Sequence, residues 1–470
     1  MKRKMSAAGR FYPSSKEKLE ELLKIFFEDC PKENIKNIKG ILAPHAGYVY
    51  SGSAAAKAYS FLKSRDFSCA VILATGHTKH IKSAALPKSD IFETPFGELQ
   101  VDLSLKKKLL SSDYFYEDES AHLEEHSIET QLPFLQFIAK REFKILPICM
   151  NTQDLEAIKI IGGEISEVLK DENNIIVVSS DLSHYPPAEI AELSDQALIE
   201  SYKLAIAGAG TDYFYLSAGI LSEKFRENDT AACGFSPMAA ACEALSKAGF
   251  KGFDKIYYCH SGKVSQDYSS VVGYCAGVFA EREDNCFLNL KQSEKKYLLK
   301  FVRSVLEKKL LGKSDFILKS NYNFYVPSAV FVTLHKKGFL RGCIGCLSPH
   351  SCLIDALQEY ALAAAFSDNR FAPLTKSELR EIDIEVSILS PMKEVSSHEE
   401  IKPGDGVYIK SGNFSGTYLP QVWDHFNNKE DFLNSLCQEK AGLPKNYWKE
   451  KSARLFTYRA DIFGEKDFKD

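Results

Sequence analysis

The stretch Ile38-Lys39-Gly40-Ile41-Leu42-Ala43-Pro44-His45-Ala46-Gly47-Tyr48 is a short apolar run that ends in a proline and delivers a histidine. The same construction returns twice. Ile72-Leu73-Ala74 is followed by Thr75-Gly76-His77-Thr78-Lys79-His80, and Val177-Val178 by Ser179-Ser180-Asp181-Leu182-Ser183-His184-Tyr185. Cys69–Ala74, Phe143–Cys149 and Ile175–Val178 are further runs of this kind, separated by helical sequence such as Ser15–Glu28 and the Ala-rich Ser53–Lys63. Short apolar strands alternating with helices are the pattern of a sheet buried on both faces, so the fold class is α/β. In such a sheet the loops at the carboxyl ends of the strands line one edge and form the ligand crevice. Three strands therefore bring His45, His77, Asp181 and His184 to a common edge.

A lone histidine is more often structural than functional. Three strand ends that each carry one point to convergence. Neutral imidazole is the common protein ligand of iron, zinc and copper, and two histidines with one anionic residue leave positions open for oxygen and substrate. The residues alone leave the anionic partner open among Asp181, Glu124, Glu125, Glu129 and the thiolate of Cys233. Cys233 stands where a helical run begins, and a helix N-terminus favours a thiolate. His122 and His126 are four apart and would share a face if helical. Of these, His126 is read as a pocket residue that carries protons or touches substrate, and His122 and His80 as surface residues.

Working outward, 470 residues exceed one ordinary core and imply two or three domains. The formal net charge of −4 argues against a nucleic-acid partner. No uniformly apolar run approaches the roughly 20 residues of a membrane span. The basic start Met1-Lys2-Arg3-Lys4 leads into Gly9-Arg10-Phe11-Tyr12-Pro13, not into a signal-peptide core, so a cytoplasmic protein with reduced cysteines is expected. Cys69, Cys149, Cys259 and Cys275 read as small core residues. Strand-like Asp254–Cys259 and Ser270–Ala280 close the first part. The polar stretch Glu281–Gln292 precedes a charged helix, Ser293–Leu310, which places the boundary near 285–292 and the domains at 1–288 and 289–470. The second part mixes strands (Ala329–Leu334, Ile382–Leu389, Val407–Lys410) with helices (Cys352–Phe366, Lys429–Gln438) in an order that implies α+β.

The motifs Gly-Arg-Phe-Tyr-Pro (9–13), Pro-His-Ala-Gly-Tyr-Val-Tyr-Ser-Gly (44–52), Thr-Pro-Phe-Gly-Glu (94–98), Glu-His-Ser-Ile-Glu-Thr-Gln-Leu-Pro-Phe (125–134), Ser-Ser-Asp-Leu-Ser-His-Tyr (179–185) and Val-Val-Gly-Tyr (271–274) resemble those of the Memo family. They run in order through nearly all of residues 9–280. The resemblance implies a fold similar to class III extradiol dioxygenases (LigB-like), with iron held by His45, His77 and Cys233 and with His126, Asp181 and His184 lining the pocket in catalytic roles. A cysteine in place of the carboxylate of the true dioxygenases suits iron or copper and weakens the case for ring cleavage.

The second part resembles the AMMECR family. The motifs are Phe-Val-Thr-Leu (331–334), Leu-Arg-Gly-Cys-Ile-Gly (340–345), Ala-Phe-Ser-Asp-Asn-Arg-Phe-Ala-Pro-Leu (365–374), Ile-Glu-Val-Ser-Ile-Leu-Ser (384–390), Leu-Pro-Gln-Val (419–422) and Lys-Ala-Gly-Leu (440–443). Asn369 stands where the family usually has proline. Arg341 and Cys343 form a candidate second site, in which an arginine beside a thiol lowers its pKa and binds an anion; the plain alternative is a glycine turn with a buried cysteine. Cys346 falls outside the family hexapeptide, so Cys343-x-x-Cys346 is incidental. Together the two families resemble components of the AmmeMemoRadiSam system, which implies a separate radical SAM protein as partner. The expected function is a metal-dependent oxidoreductase, iron first and copper second, acting on an unidentified small molecule. Its competitors are a non-catalytic metal carrier or scaffold and, less well supported, a Cys–His hydrolase with Cys233 as nucleophile.

Overall fold

The computed structural model describes residues 1–31, 35–63, 65–282 and 287–468. The chain divides into two compact units, Met1–Asn285 and Cys286–Asp470. The boundary stretch expected at 285–292 begins within 283–286, which lie outside the described residues.

The first unit is built on an eight-stranded sheet. Its strands in chain order are β1 (Ile38–Ala43), β2 (Cys69–Ala74), β3 (Ala84–Leu86), β4 (Phe115–Glu117), β5 (Lys144–Cys149), β6 (Asn174–Ser179), β7 (Gly252–His260) and β8 (Gly273–Ala280). In space they run β7-β8-β1-β6-β2-β5-β3-β4. The four central strands β1, β6, β2 and β5 are mutually parallel, and β8 and β7 extend the sheet antiparallel. Register puts Ala43, Ser179 and Ala74 side by side, so the chain leaves three adjacent strands at one level.

Both faces are covered, which is why the central strands read as continuous apolar runs. Successive side chains alternate between the faces. Ile41, Ile72, Val177 and Val278 pack in a core with Leu19 and Leu23 of α1 (Lys16–Glu28) and Ala55 of α2 (Tyr48–Tyr59). On the other face Phe279 meets Phe253 and Tyr202. That face also carries α3 (Leu155–Leu169), α4 (Ala188–Leu204), α5 (Gly210–Lys224) and α6 (Phe235–Lys247). The stretch Ala188–Lys224 is long and apolar enough, by length and composition, to cross a membrane. It is not one straight rod: Gly208 takes φ +123°, a left-handed geometry that breaks the helix between α4 and α5. Tyr202, Phe214 and Ala197 from this stretch are buried within the unit, as in the core helix of a globular domain.

The second unit holds two four-stranded antiparallel sheets. One orders β10 (Phe339–Gly345), β9 (Ala329–Lys336), β11 (Ile382–Leu389) and Ala460–Gly464, with the helices Gln292–Leu311 and Leu353–Phe366 packed on it. Lys429–Ser435 continues as a π-helical turn, Leu436–Ala441, beyond the helix expected from sequence. Strand β10 lies at the sheet edge, and a loop covers it: Asp368 accepts from Cys343 N at 2.9 Å and Arg370 donates to Cys343 O at 3.1 Å. The side chains thus stand in for a missing neighbour strand.

Candidate metal centre

The parallel strands end together, and the loops after β1, β2 and β6 turn inward over the edge. Among the described residues, two groups of three side chains bring potential ligand atoms within 4.8 Å of one another: His45, His77 and Cys233, and His77, Glu125 and His126. Two metal–ligand bonds of about 2.0–2.3 Å laid end to end nearly bridge that separation. Cys233 Sγ lies 3.1 Å from His45 Nε2. His45 is only 1% exposed and forms the floor, whereas the His77 side chain is 31% exposed and stands at the mouth.

Hydrogen bonds fix which nitrogen each ring presents. Ser179 Oγ donates its one proton to Ser127 O at 2.7 Å. It must therefore accept from Gln131 Nε2, at 2.9 Å, and from His45 Nδ1, also at 2.9 Å. His45 is thus protonated at Nδ1, and its lone pair sits on Nε2. At His77 the buried carboxylate of Glu125 accepts from the backbone N–H at 2.7 Å and from Nδ1 at 2.9 Å. His77 therefore also presents Nε2. Both rings have the tautomer a metal ligand needs, each held by a partner on its far side.

The charges agree with this arrangement. Burial, and then His77, hold His45 well below its usual range, so it is neutral at pH 7. Burial, then His45 and His77, push His126 down to about 3. Burial opposes the charge of Glu125, but hydrogen bonding and charge from His77, with the Ser127 N–H, bring its carboxyl down to about 2. Burial raises Asp181, whose Oδ1 accepts from His45 N at 2.8 Å and so orients the His45 backbone. Two imidazoles that can present Nε2 and a cysteine sulfur form a donor set that fits a soft or borderline divalent ion.

The remaining expected residues fall around this centre. His126 stacks between Phe11, at 4.2 Å, and His77, at 4.5 Å. His184 donates from Nδ1 to Leu182 O at 2.8 Å. Of the other carboxylates considered, Glu124 is exposed. Glu129 is buried away from the ligands: it binds Arg3 at 2.6 Å, the Ser6 and Ala7 N–H groups and the Tyr12 hydroxyl.

Three expectations need correction. His122 is not on the surface. It is 1% exposed, bonds to Ala85 O at 3.0 Å, and lies outside the short helix that begins at His126, so the two share no helix face. The helix start does not lower the Cys233 thiol: burial, then Asp181, push it up, because desolvation outweighs the weak field of a terminus one residue away. Arg341 does not activate Cys343. Its Nε and Nη2 bond Glu378 at 3.1 Å each, while Cys343 accepts from the Thr333 hydroxyl and burial raises its pKa.

Several residues of the centre carried no assigned role in the sequence. Ser127 and Gln131 lie in the 125–134 motif and Ser179 in the 179–185 motif, so the motifs marked them without saying what they do. Asp195 had no signal at all. It reaches across from α4 to bind Ser183 N at 3.0 Å and the Tyr258 hydroxyl at 2.8 Å, and it holds the loop of Asp181 and His184.

The family described as Memo-like protein matches residues 3–278, and AMMECR1 matches residues 299–463. A MEMO1 family protein of Aquifex aeolicus is 39% identical over 277 residues, which cover 59% of this chain and 98% of that protein. A MEMO1 family protein of Nitrosopumilus maritimus is 37% identical over 282 residues, again 59% of this chain and 98% of that one. Among solved structures, an uncharacterized protein from Pyrococcus horikoshii is 31% identical and covers 38% of this chain and 95% of its own, with a TM-score of 0.35.

Proposed function

Because the chain belongs to the Memo-like family and carries an AMMECR1 segment behind that domain, we propose that it is a metal-dependent oxidoreductase of the non-haem iron type. The observation that supports this most directly is the pair of tautomer-locked histidines, His45 and His77, whose free Nε2 atoms converge with the sulfur of Cys233. Iron is the first choice and copper the second, since imidazole and thiolate ligands suit both. When bound, the metal supplies a Lewis acid and a one-electron centre at which oxygen and substrate meet. The likeness to class III extradiol dioxygenases belongs to this proposal as well.

The protein's own groups divide the remaining work. Ser179 and Glu125 hold the two rings in place. Asp181 fixes the backbone that carries His45. His126, neutral and stacked on Phe11, offers a hydrogen bond to substrate. His184, with its Nδ1–H committed to Leu182 O, presents Nε2 as a proton acceptor. In this proposal the partner is a radical SAM protein, because the two families together resemble components of the AmmeMemoRadiSam system; with no Cys-x3-Cys-x2-Cys run in this chain, that protein is a separate one.

The test is metal analysis of protein purified without oxygen. Wild type should hold about one iron per chain and consume oxygen with a substrate present, and His45→Ala and Cys233→Ala should lose the metal. Iron retained by His45→Ala would sink the ligand assignment. Stoichiometric metal with no oxygen uptake would leave a carrier in place of an enzyme.

A further inference from the structure

A cavity of about 280 Å³ lies against the metal centre. Cys233 forms part of its wall, and so does Asn151. The Asn151 amide donates to Gly76 O at 2.7 Å and Lys79 O at 2.8 Å and accepts from Ile81 N at 2.8 Å, so it braces the loop that carries His77. The cavity therefore touches both a ligand and the support of another. It is also lined by Tyr215 and Gly219 of α5 and by Phe235.

Three properties of this space define what fits it. Among the described residues, no aspartate, glutamate, lysine, arginine or histidine lines it. A carboxylate or ammonium ligand would find no opposite charge there to hold it, whereas an uncharged one needs none. The volume falls just under the usual ligand-site range of about 300–1,000 Å³, enough for one ring and its substituent and far too little for a peptide or nucleotide. The walls pair aromatic surface, Tyr215 and Phe235 at 5.5 Å from each other, with amide and hydroxyl groups.

Gly219 is the informative position. It sits inside α5, where glycine costs a helix about 1 kcal/mol relative to alanine. A Cβ built on it meets nothing within 4 Å. Neither φ nor packing calls for glycine; the residue is exposed on the cavity's wall, so a larger side chain there can stand over the cavity without displacing a neighbour.

We infer that this cavity seats the body of the substrate, that the substrate is a small uncharged molecule of the aromatic amide or phenol type, and that Gly219 sets how much of the cavity it can use. The placement rests on the metal-centre reading for its reactive end; the cavity and its selectivity do not.

The experiment uses the full chain without metal and saturation-transfer NMR with benzamide, benzoate and benzylamine, repeated on Gly219→Leu and Gly219→Ala. Both variants gain helix propensity, and an unchanged or higher Tm shows that they fold. In parallel, Co2+ titration followed by the thiolate charge-transfer band reports on the metal centre. Benzamide should bind wild type at least ten-fold more tightly than either charged probe. Gly219→Leu should weaken it ten-fold or more and Gly219→Ala by less, with Co2+ binding unchanged in both. Benzoate binding as well as benzamide, benzamide failing to bind, or benzamide indifferent to Gly219→Leu would each overturn the inference. Benzamide binding that responds to Gly219→Leu in a protein that takes up no Co2+ would keep the cavity and overturn the metal reading.

Discussion

At the scale of single residues, the centre depends on groups that touch no ligand. Glu125 supplies the carboxylate that keeps the proton of His77 on Nδ1. In Glu125→Gln the amide would present a donor to either His77 N–H or Ser127 N–H, and the ring would lose its fixed orientation. Metal affinity should drop by about 10–100-fold, the usual effect of removing such a support, as read by competition titration with a chromogenic chelator. His122 gives a second prediction, this one in pH. Burial pushes its pKa down to about 4 from an ordinary 6.5, and its Nδ1 has no partner. The unfolded chain therefore takes the proton first, and stability present above pH 6.5 is lost as pH falls toward 4, on the order of 3 kcal/mol in all. Denaturant unfolding at stepped pH should show this slope in wild type and a flatter one in His122→Phe. The histidines at the strand ends were legible because a strand's end predicts where its next residues go. Ser179, Glu125 and His122 were not, because a polar residue's partner is set by which loop lands beside it, and nothing local encodes that.

At the scale of elements, the helix that follows Cys233 is placed by a close crossing. A Cβ on Gly162 in α3 would stand 2.5 Å from Ala240 O and 2.6 Å from Glu243 Cβ in α6. Gly162→Val must push α6 away, at a cost of about 1–3 kcal/mol for overpacking, and should loosen the metal site along with the fold. Gly163 is the control. Its Cβ would meet only the far end of Lys247, at 3.0 Å, so Gly163→Ala should gain helix propensity and leave metal binding alone. Thermal unfolding and Co2+ titration of the two variants separate these outcomes. Elements with a strong pattern were readable: Ile38–Ala43, Cys69–Ala74 and Ile382–Leu389 stand where the hydrophobic runs put them. The helix after His45 starts earlier than its alanines indicate, at Tyr48, whose ring is buried against Phe134. Strands β3 and β4 have three residues each and depend on neighbours for their pairing, so no periodicity could announce them.

At the scale of the whole molecule, each unit has a core of its own. Ile41, Ile72, Val177 and Val278 belong to a cluster drawn from the first unit alone. Val407, Phe432, Trp448 and Leu455 belong to one drawn from the second. Two cores give two cooperative melting events, so calorimetry on the full chain should resolve two transitions. The candidate metal ligands His45, His77 and Cys233 lie wholly within the first unit. A ligand that binds the folded state alone stabilises it by about 2.7 kcal/mol at 100 times its Kd. For a unit of this size that is a rise of roughly 5 °C or more. Fe2+ added without oxygen, or Co2+ in its place, should therefore raise one transition and leave the other where it was. The transition that moves should be the one that Gly162→Val lowers, and Cys233→Ala should abolish the shift while both transitions remain. A metal-induced rise in both transitions would mean that the two units do not melt independently, and a rise that survives Cys233→Ala would place the ion at ligands other than the His45, His77 and Cys233 set.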